Sequence, residues 1–157
     1  MVFLDAGFFI AYRNKRDEYH DHAQYILAQM VNGTFQKGLT CDYVLDEAVT
    51  RVRRKTQDPA LAAAVGRDML NSAYWSVRSV PMECVRACVE LYSKHPEEEL
   101  TFTDWVVQWM AKQYGLTQIV TNDEAALKCY EKLGFRPLQL LENKAFQAWR
   151  AQKLTRS

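Results

Sequence analysis

Four acidic residues stand where predicted strands end or where helices lead into them. Asp5 directly follows an apolar strand, and Asp123 follows the fourth predicted strand. Glu47 lies in the helix after the second strand, and Asp104 lies in the first turn of the helix that precedes the fourth. Ligands of open parallel sheets bind at the carboxyl ends of the strands, so we expect these carboxylates to converge. Oxygen ligands without His or Cys favour Mg²⁺ or Mn²⁺ over Zn²⁺, and the sequence therefore predicts a site for one of these ions.

Each of these acids also has a purely structural explanation. Asp5 can cap the helix that follows it, and Asp104 and Asp123 can favour the positive end of a helix dipole. Glu47 can be an ordinary solvated helix residue. The pattern does not separate Glu47 from Asp46, because both flank the same apolar stripe of that helix.

A regular alternation of strands and helices would position the acids. The predicted strands are residues 2–4, 38–41, 75–80, 118–121 and 135–140. The predicted helices are residues 7–12, 19–31, 42–55 with Asp42 as N-cap, a helix opened by Asp58 and Pro59, 81–95, 103–114 with Thr103 as N-cap, 123–133 and 143–153. Strands separated by helices predict a mostly parallel five-stranded sheet covered on both faces, which is a three-layer α/β domain.

Composition limits the other functional classes. The 157 residues fit one domain, which we place at residues 1–141, followed by a basic C-terminal helix or tail at 142–157. With 20 basic and 19 acidic residues the net charge is +1, so only local patches can attract nucleic acid. Four cysteines without a CxxC pair indicate reduced, buried thiols. No apolar run reaches the roughly 18 residues of a membrane span, and no signal peptide is recognisable, so we expect a cytoplasmic protein.

A basic cluster of Arg51, Arg53, Arg54 and Lys55 follows Glu47 on the same predicted helix. It can hold RNA phosphates beside the acidic site, since backbone contacts supply much of the affinity for nucleic acid. Alternatively, its charge only favours the C-terminal end of the helix dipole. The sequence does not decide between the two. The basic C-terminal helix is expected to be a solvated amphipathic helix rather than a contact for RNA or a partner.

Four segments resemble the signature segments of PIN-domain proteins, in the family's order and with similar spacing. They are residues 2–6 (VFLDA), 40–47 (TCDYVLDE), 100–104 (LTFTD) and 119–123 (IVTND), and the resemblance extends to about residue 141. By this resemblance Asp5, Glu47, Asp104 and Asp123 match the acidic positions of the family's metal-dependent nuclease site. Thr121 matches a position near the metal where the family often has Ser or Thr, and we group it with the RNA contacts.

The resemblance implies a Mg²⁺- or Mn²⁺-dependent endoribonuclease that leaves 3′-hydroxyl and 5′-phosphate ends. Many small members are the VapC-type toxins of toxin–antitoxin pairs, which implies a homodimer and a cognate antitoxin that blocks the acidic groove. The main alternative is a catalytically weak RNA-binding or regulatory module on the same fold, and a flap-type DNA nuclease is a lesser one. Residues 129–135 also resemble a segment of acetyltransferases, but the Gly-rich pyrophosphate loop of that family is missing from the sequence.

Overall fold

The computed structural model describes residues 1–139 and 144–155. The strands within these ranges are β1 (Val2–Leu4), β2 (Gly38–Cys41), β3 (Trp75–Arg78), β4 (Gln118–Thr121) and β5 (Arg136–Gln139). The helices are α1 (Ala6–Arg13), α2 (His20–Val31), α3 (Asp42–Thr56), α4 (Pro59–Asn71), α5 (Met82–Lys94), α6 (Phe102–Gln113), α7 (Glu124–Lys132) and α8 (Lys144–Leu154). This alternation confirms the predicted α/β fold.

The described strands form one parallel sheet in the order β3-β2-β1-β4-β5. The central strand β1 pairs with β2 on one side, where Val2 lies opposite Gly38, and with β4 on the other, where Leu4 lies opposite Val120. Strand order therefore reverses at β1, and a crevice opens at the carboxyl ends of β1 and β4. Asp5 directly follows β1 at this crevice.

The sheet is covered on both faces. Alternate side chains of a strand point to opposite faces, and all three residues of β1 are completely buried. The rings of Phe8 and Phe9 on α1 contact Trp75 of β3 edge to face, with centroids 5.8 and 5.4 Å apart. Burial of each such side chain contributes about 1.5–3 kcal/mol. This packing holds α1, whose N-cap is Asp5, against the sheet.

Helix α6 begins earlier than predicted. Thr101, rather than Thr103, is its N-cap, and the helix starts at Phe102. The Thr101 hydroxyl accepts a hydrogen bond from Asp104 N, while the Asp104 carboxylate accepts one from Thr101 N. This reciprocal capping box satisfies two backbone donors at once, and it therefore fixes the N-cap two residues before Thr103.

The end of β3 and the start of α3 also differ from the prediction, for one shared reason. Cys41 is the N-cap of α3, so Asp42 is the first helical residue instead of the cap. The Asp42 carboxylate accepts hydrogen bonds from Tyr43 N and from Val80 N, both at 3.1 Å. The Val80 N–H is thereby diverted to Asp42, and β3 ends at Arg78, two residues before its predicted end.

The C-terminal helix packs on the domain. Phe146 of α8 is fully buried and stacks on His22 of α2 with ring centroids 3.9 Å apart. Arg150 Nε lies 3.3 Å from Asp21 Oδ2. One face of α8 is therefore a packing surface and not only a solvated one. Three predicted positions lie outside the described residues. They are the end of the fifth strand at residue 140, the domain boundary at 141 and the start of the last helix at 143.

All four cysteines are buried free thiols, as predicted. The Sγ atoms of Cys84 and Cys88 lie 3.8 Å apart on successive turns of α5. Burial raises the pKa of both thiols, which is typical of unreactive packed cysteines. Across the described ranges, no helix combines the length and the apolar character that a membrane crossing requires.

Candidate active site

The four predicted acids line one cleft at the carboxyl edge of the sheet. The cleft has a volume of about 470 Å³, and its walls include Asp5, Glu47, Asp104 and Asp123. Asp5 follows β1, Asp123 follows β4, Glu47 lies on α3 and Asp104 lies in the first turn of α6. The fold therefore brings together acids that are widely separated in the sequence.

Asp5 is the most constrained of these acids. Its Oδ1 accepts a hydrogen bond from Ala6 N and its Oδ2 accepts one from Thr121 Oγ1, both at 2.7 Å. The side chain is only 5% exposed. Burial, together with repulsion from Asp104 and Glu47, raises the pKa of Asp5 to about 7, although the hydrogen bond from Thr121 opposes the shift. A nearby cation would relieve this repulsion.

Thr121 connects the ends of the two central strands. Its hydroxyl donates to Asp5 and accepts a hydrogen bond from Asp123 N at 3.2 Å. Asp5 N donates to Val120 O at 3.0 Å, so the backbone closes the same junction. Thr121 is completely buried, and the prediction that it contacts RNA is therefore wrong. It positions two acids of the cleft instead.

Asp104 is held by the cap of α6. Its Oδ2 accepts hydrogen bonds from both the backbone N and the hydroxyl of Thr101, each at 2.7 Å. The Tyr130 hydroxyl donates to Oδ1 from the other side, at 3.4 Å. Burial raises the pKa of Asp104, the hydrogen bonds from Thr101 oppose that shift, and the charge of Asp123 adds to it.

Helix α3 presents both Glu47 and Asp46 to the cleft wall. Asp46 is exposed, whereas Glu47 is half-buried and accepts a hydrogen bond from Arg51 Nη1 at 2.9 Å. Burial raises the pKa of Glu47, Arg51 lowers it, and the charge of Asp104 raises it again. Glu47 also contributes to the raised pKa of Asp5. These electrostatic links favour Glu47 as the member of the acidic cluster.

The acids are all engaged by neighbouring groups. Asp123 Oδ1 accepts hydrogen bonds from Ala125 N and Ala126 N at 2.9 and 3.0 Å, and it caps α7 in this way. Within the described residues, no three His, Cys, Asp or Glu side chains are arranged to hold a metal ion together. The oxygen-only donor set and the raised carboxylate pKa values nevertheless fit Mg²⁺ or Mn²⁺.

The basic cluster is divided by the fold. Arg51 and Arg54 line the acidic cleft and also a second groove beside it. Lys55 lines the second groove but is not among the described residues that line the cleft, and its Nζ lies 3.4 Å from Asp17 Oδ2. Arg53 is exposed and is not among the described residues that line either groove. Two of the three predicted RNA-binding arginines therefore stand beside the acids.

Thr101 and Tyr130 are parts of the site that the sequence prediction missed. The spacing of Thr101 and Asp104 is that of a capping box, so the signal for Thr101 was present in the sequence. Tyr130 is completely buried and reaches Asp104 from α7, which no local pattern indicates. Burial and the charges of Asp5 and Asp104 hold the pKa of Tyr130 well above its usual value. It is therefore a protonated hydrogen-bond donor behind the acids.

The PIN domain family model matches residues 2–132, a range that contains all four acids and both central strands. The chain therefore belongs to the PIN domain family. No curated protein matches the sequence.

Solved structures with a similar fold include two toxin structures. VapC20 from Mycobacterium tuberculosis, a toxin that cleaves the sarcin-ricin loop, has a TM-score of 0.74 and 22% identity over 87% of this chain and 97% of its own. A toxin–antitoxin complex from Klebsiella pneumoniae has a TM-score of 0.56 and 12% identity over 91% and 100%. The protein PAE2754 from Pyrobaculum aerophilum has a TM-score of 0.54 and 20% identity over 87% of both chains. At these identities the likeness shows a shared fold.

Proposed function

We propose that this protein is a metal-dependent endoribonuclease and the toxin of a toxin–antitoxin pair, acting in the cytoplasm. The observation that carries the proposal is the convergence of Asp5, Glu47, Asp104 and Asp123 on one cleft. Membership of the PIN domain family and the fold shared with VapC20 support it.

The cleft suits Mg²⁺ or Mn²⁺ because all of its candidate ligands are carboxylates. Asp5, Asp104 and Asp123 would hold the ion, and Glu47 would act on it directly or through water. Burial and mutual repulsion raise the pKa values of Asp5, Asp104 and Glu47. A divalent cation removes the cost of keeping these groups charged.

The way each side chain is held supports the proposed catalytic roles. A bound ion would lower the pKa of the attacking water and neutralise charge on the phosphoryl oxygens. Asp5 keeps one orientation because both of its oxygens accept hydrogen bonds. Glu47 is half-buried with a raised pKa, which suits it to orient the water and accept its proton. Arg51 and Arg54 at the cleft wall would hold RNA phosphates.

The proposed partners are an RNA substrate, a cognate antitoxin and a second copy of the chain. VapC20 is a toxin that cleaves the sarcin-ricin loop, and the Klebsiella pneumoniae structure is a toxin–antitoxin complex. An antitoxin would act by covering the acidic cleft and its neighbouring arginines, since RNA must enter there.

Cleavage of structured RNA by the purified protein tests the proposal. We expect internal cuts in the presence of Mn²⁺ that disappear with EDTA and in the Asp5→Asn variant. Glu98→Gln is a matched control, because Glu98 pairs with Lys132 and does not line the cleft in the described structure. A folded wild-type protein that leaves a range of RNAs intact with Mn²⁺ would contradict the proposal.

A catalytically weak RNA-binding or regulatory module is the second candidate. The ion pair between Glu47 and Arg51 favours it, because the pair neutralises one acid of the cleft without any metal. Such a protein would bind RNA in EDTA and would still not cut it when Mn²⁺ is added. The two candidates therefore separate in a binding assay followed by the cleavage assay.

A further inference from the structure

A second groove lies beside the acidic cleft. It has a volume of about 390 Å³, and it shares Arg51 and Arg54 with the cleft. Its other walls include Gly7 and Ile10 of α1 and Asn122, which lies between β4 and Asp123. The two spaces thus share the arginines as part of their walls, and a ligand in the groove would lie next to one in the cleft.

Asn122 is placed in the groove by Gly7. A Cβ atom at Gly7 would overlap Asn122 Oδ1, so the absence of a side chain at Gly7 makes room for the amide. Within residues 1–139 and 144–155 the Asn122 amide makes no hydrogen bond, although the residue is half-buried. Its donor and acceptor are therefore available to a ligand, next to the apolar surface of Ile10.

The cations of the groove are not equivalent. Lys55 is paired with Asp17, and Arg51 is paired with Glu47. Arg54 has no carboxylate partner in the described part of the chain, and it lines both the cleft and the groove. Arg54 is accordingly the cation best placed to accept a phosphate from outside.

We infer that this groove holds one unpaired nucleotide of the RNA strand, next to the nucleotide whose phosphate lies at the acids. The inference rests on the proposed function and names the form of its substrate. Arg54 binds the phosphate, Ile10 packs on the base, and the Asn122 amide forms hydrogen bonds with the base edge. The major groove of duplex RNA is too deep and narrow for a side chain to read, whereas the Watson–Crick and Hoogsteen edges of an unpaired base are open to an amide, so the strand is single at this position.

Binding of fluorescent short RNA oligonucleotides of uniform sequence in EDTA tests the inference without cleavage. Asn122→Ala should weaken binding of the preferred base about fivefold, the loss expected of one hydrogen bond, and should level the preference among bases. The slope of log affinity against log salt should not change. Arg54→Ala should weaken all sequences alike and reduce the slope by about 0.7, the value for one phosphate contact on a single strand. Arg53→Ala is the matched control and should leave the slope unchanged.

Several results would overturn the inference. It fails if Arg53→Ala and Arg54→Ala reduce the salt slope equally, if Asn122→Ala keeps the base preference, or if a duplex binds as tightly as the single strand. Gly7→Ala offers a second approach to Asn122, because the added methyl displaces the amide and should level the base preference too. Retention of the Mn²⁺-induced rise in melting temperature shows that a variant keeps its acidic cleft. Wild-type binding with the expected slopes but no cleavage would instead refute only the nuclease proposal.

Discussion

Arg51 and Glu47 form an ion pair on successive turns of α3, with Nη1 2.9 Å from Oε1. The pair places the positive charge of Arg51 within the acidic cleft, next to Glu47, which is proposed to act on the attacking water. The Arg51 side chain is 53% exposed, and exposed pairs at this spacing contribute only about 0.3–0.5 kcal/mol. A metal ion and an RNA phosphate can therefore separate the two side chains at little cost, each taking one of them.

Glu47→Gln should reduce RNA cleavage strongly, whereas Asp46→Asn should have little effect. Both residues line the cleft, but only Glu47 is half-buried and electrostatically linked to Asp5 and Asp104. Single-turnover cleavage rates with saturating Mn²⁺ measure the difference. A damaging Asp46→Asn with a silent Glu47→Gln would reverse the assignment on α3.

Asp5→Asn should stabilise the metal-free protein at alkaline pH while it abolishes cleavage. The pKa of Asp5 is about 7 in the folded protein and about 4 in an unfolded chain, so the folded state binds the proton more tightly. The contribution of Asp5 to the free energy of unfolding is therefore greatest below about pH 4 and declines as the pH rises to about 7. Above that pH the charged group costs the folded state about 4 kcal/mol, at roughly 1.4 kcal/mol for each unit.

Urea unfolding of the wild type and Asp5→Asn in EDTA, over this pH range, checks the sign. The difference in the free energy of unfolding between the two proteins should grow in favour of the variant as the pH rises. A difference that is constant with pH would mean that Asp5 titrates normally, and a difference of opposite slope would mean that Asp5 is stabilised in its charged form.

Thr121→Val should impair cleavage, and Thr40→Val should not. Both threonines are completely buried, and each donates one hydrogen bond to β1 or to the residue after it. Each change should lower the free energy of unfolding by about 1–3 kcal/mol. Only Thr121 bonds to the Asp5 carboxylate, where its hydrogen bond opposes the raised pKa. Thr121→Val should therefore raise the pKa of Asp5 further, so that the free energy of unfolding declines over a more alkaline pH range.

The comparison with Thr40 separates a local role from a general loss of packing. Thr40 Oγ1 donates to Leu4 O at 2.9 Å, one residue before Asp5. Equal losses of cleavage in the two variants would mean that the strand junction matters only for stability. An unchanged rate in Thr121→Val would remove Thr121 from the positioning of Asp5.

Divalent ions should raise the melting temperature of the wild type, and Asp104→Asn should lose most of this response. An ion that binds only the folded state stabilises it by roughly 2.7 kcal/mol at a hundredfold excess over its Kd. Mn²⁺ should act more strongly than Mg²⁺. A fluorimetric titration with each metal measures the shift, with Glu98→Gln again as the control. Equal shifts in the wild type and Asp104→Asn would place the ion elsewhere.

Much of the fold is predictable because it depends on local patterns. The short apolar strands and the amphipathic helices are found within a few residues of their predicted bounds, and Asp58 caps its helix as predicted. The errors occur where a distant partner decides the outcome. Val80 N donates a hydrogen bond to the Asp42 carboxylate, 38 positions away in the sequence, and Val80 is therefore not part of the strand.

The site was predictable to the same extent. Asp5 directly follows β1 and Asp123 lies two residues after β4, and the carboxyl ends of these strands meet in any sheet of this topology, so their convergence could be expected. The choice between Glu47 and Asp46 depends on how far α3 is rotated against the cleft, which the stripe of apolar residues does not fix. Tyr130 contacts Asp104 only because α7 packs behind α6, and no spacing in the sequence indicates that contact.

The hydrogen bond from Thr121 to Asp5 joins positions that are 116 residues apart. Parallel pairing between such distant strands is a slow step of folding, because the loop between them must be closed first. During synthesis the first acid leaves the ribosome long before the strand that holds it, at a rate of roughly 5–20 residues each second. A nascent chain whose β4 has not yet docked beside β1 therefore has no assembled catalytic centre, even when its early helices have already formed.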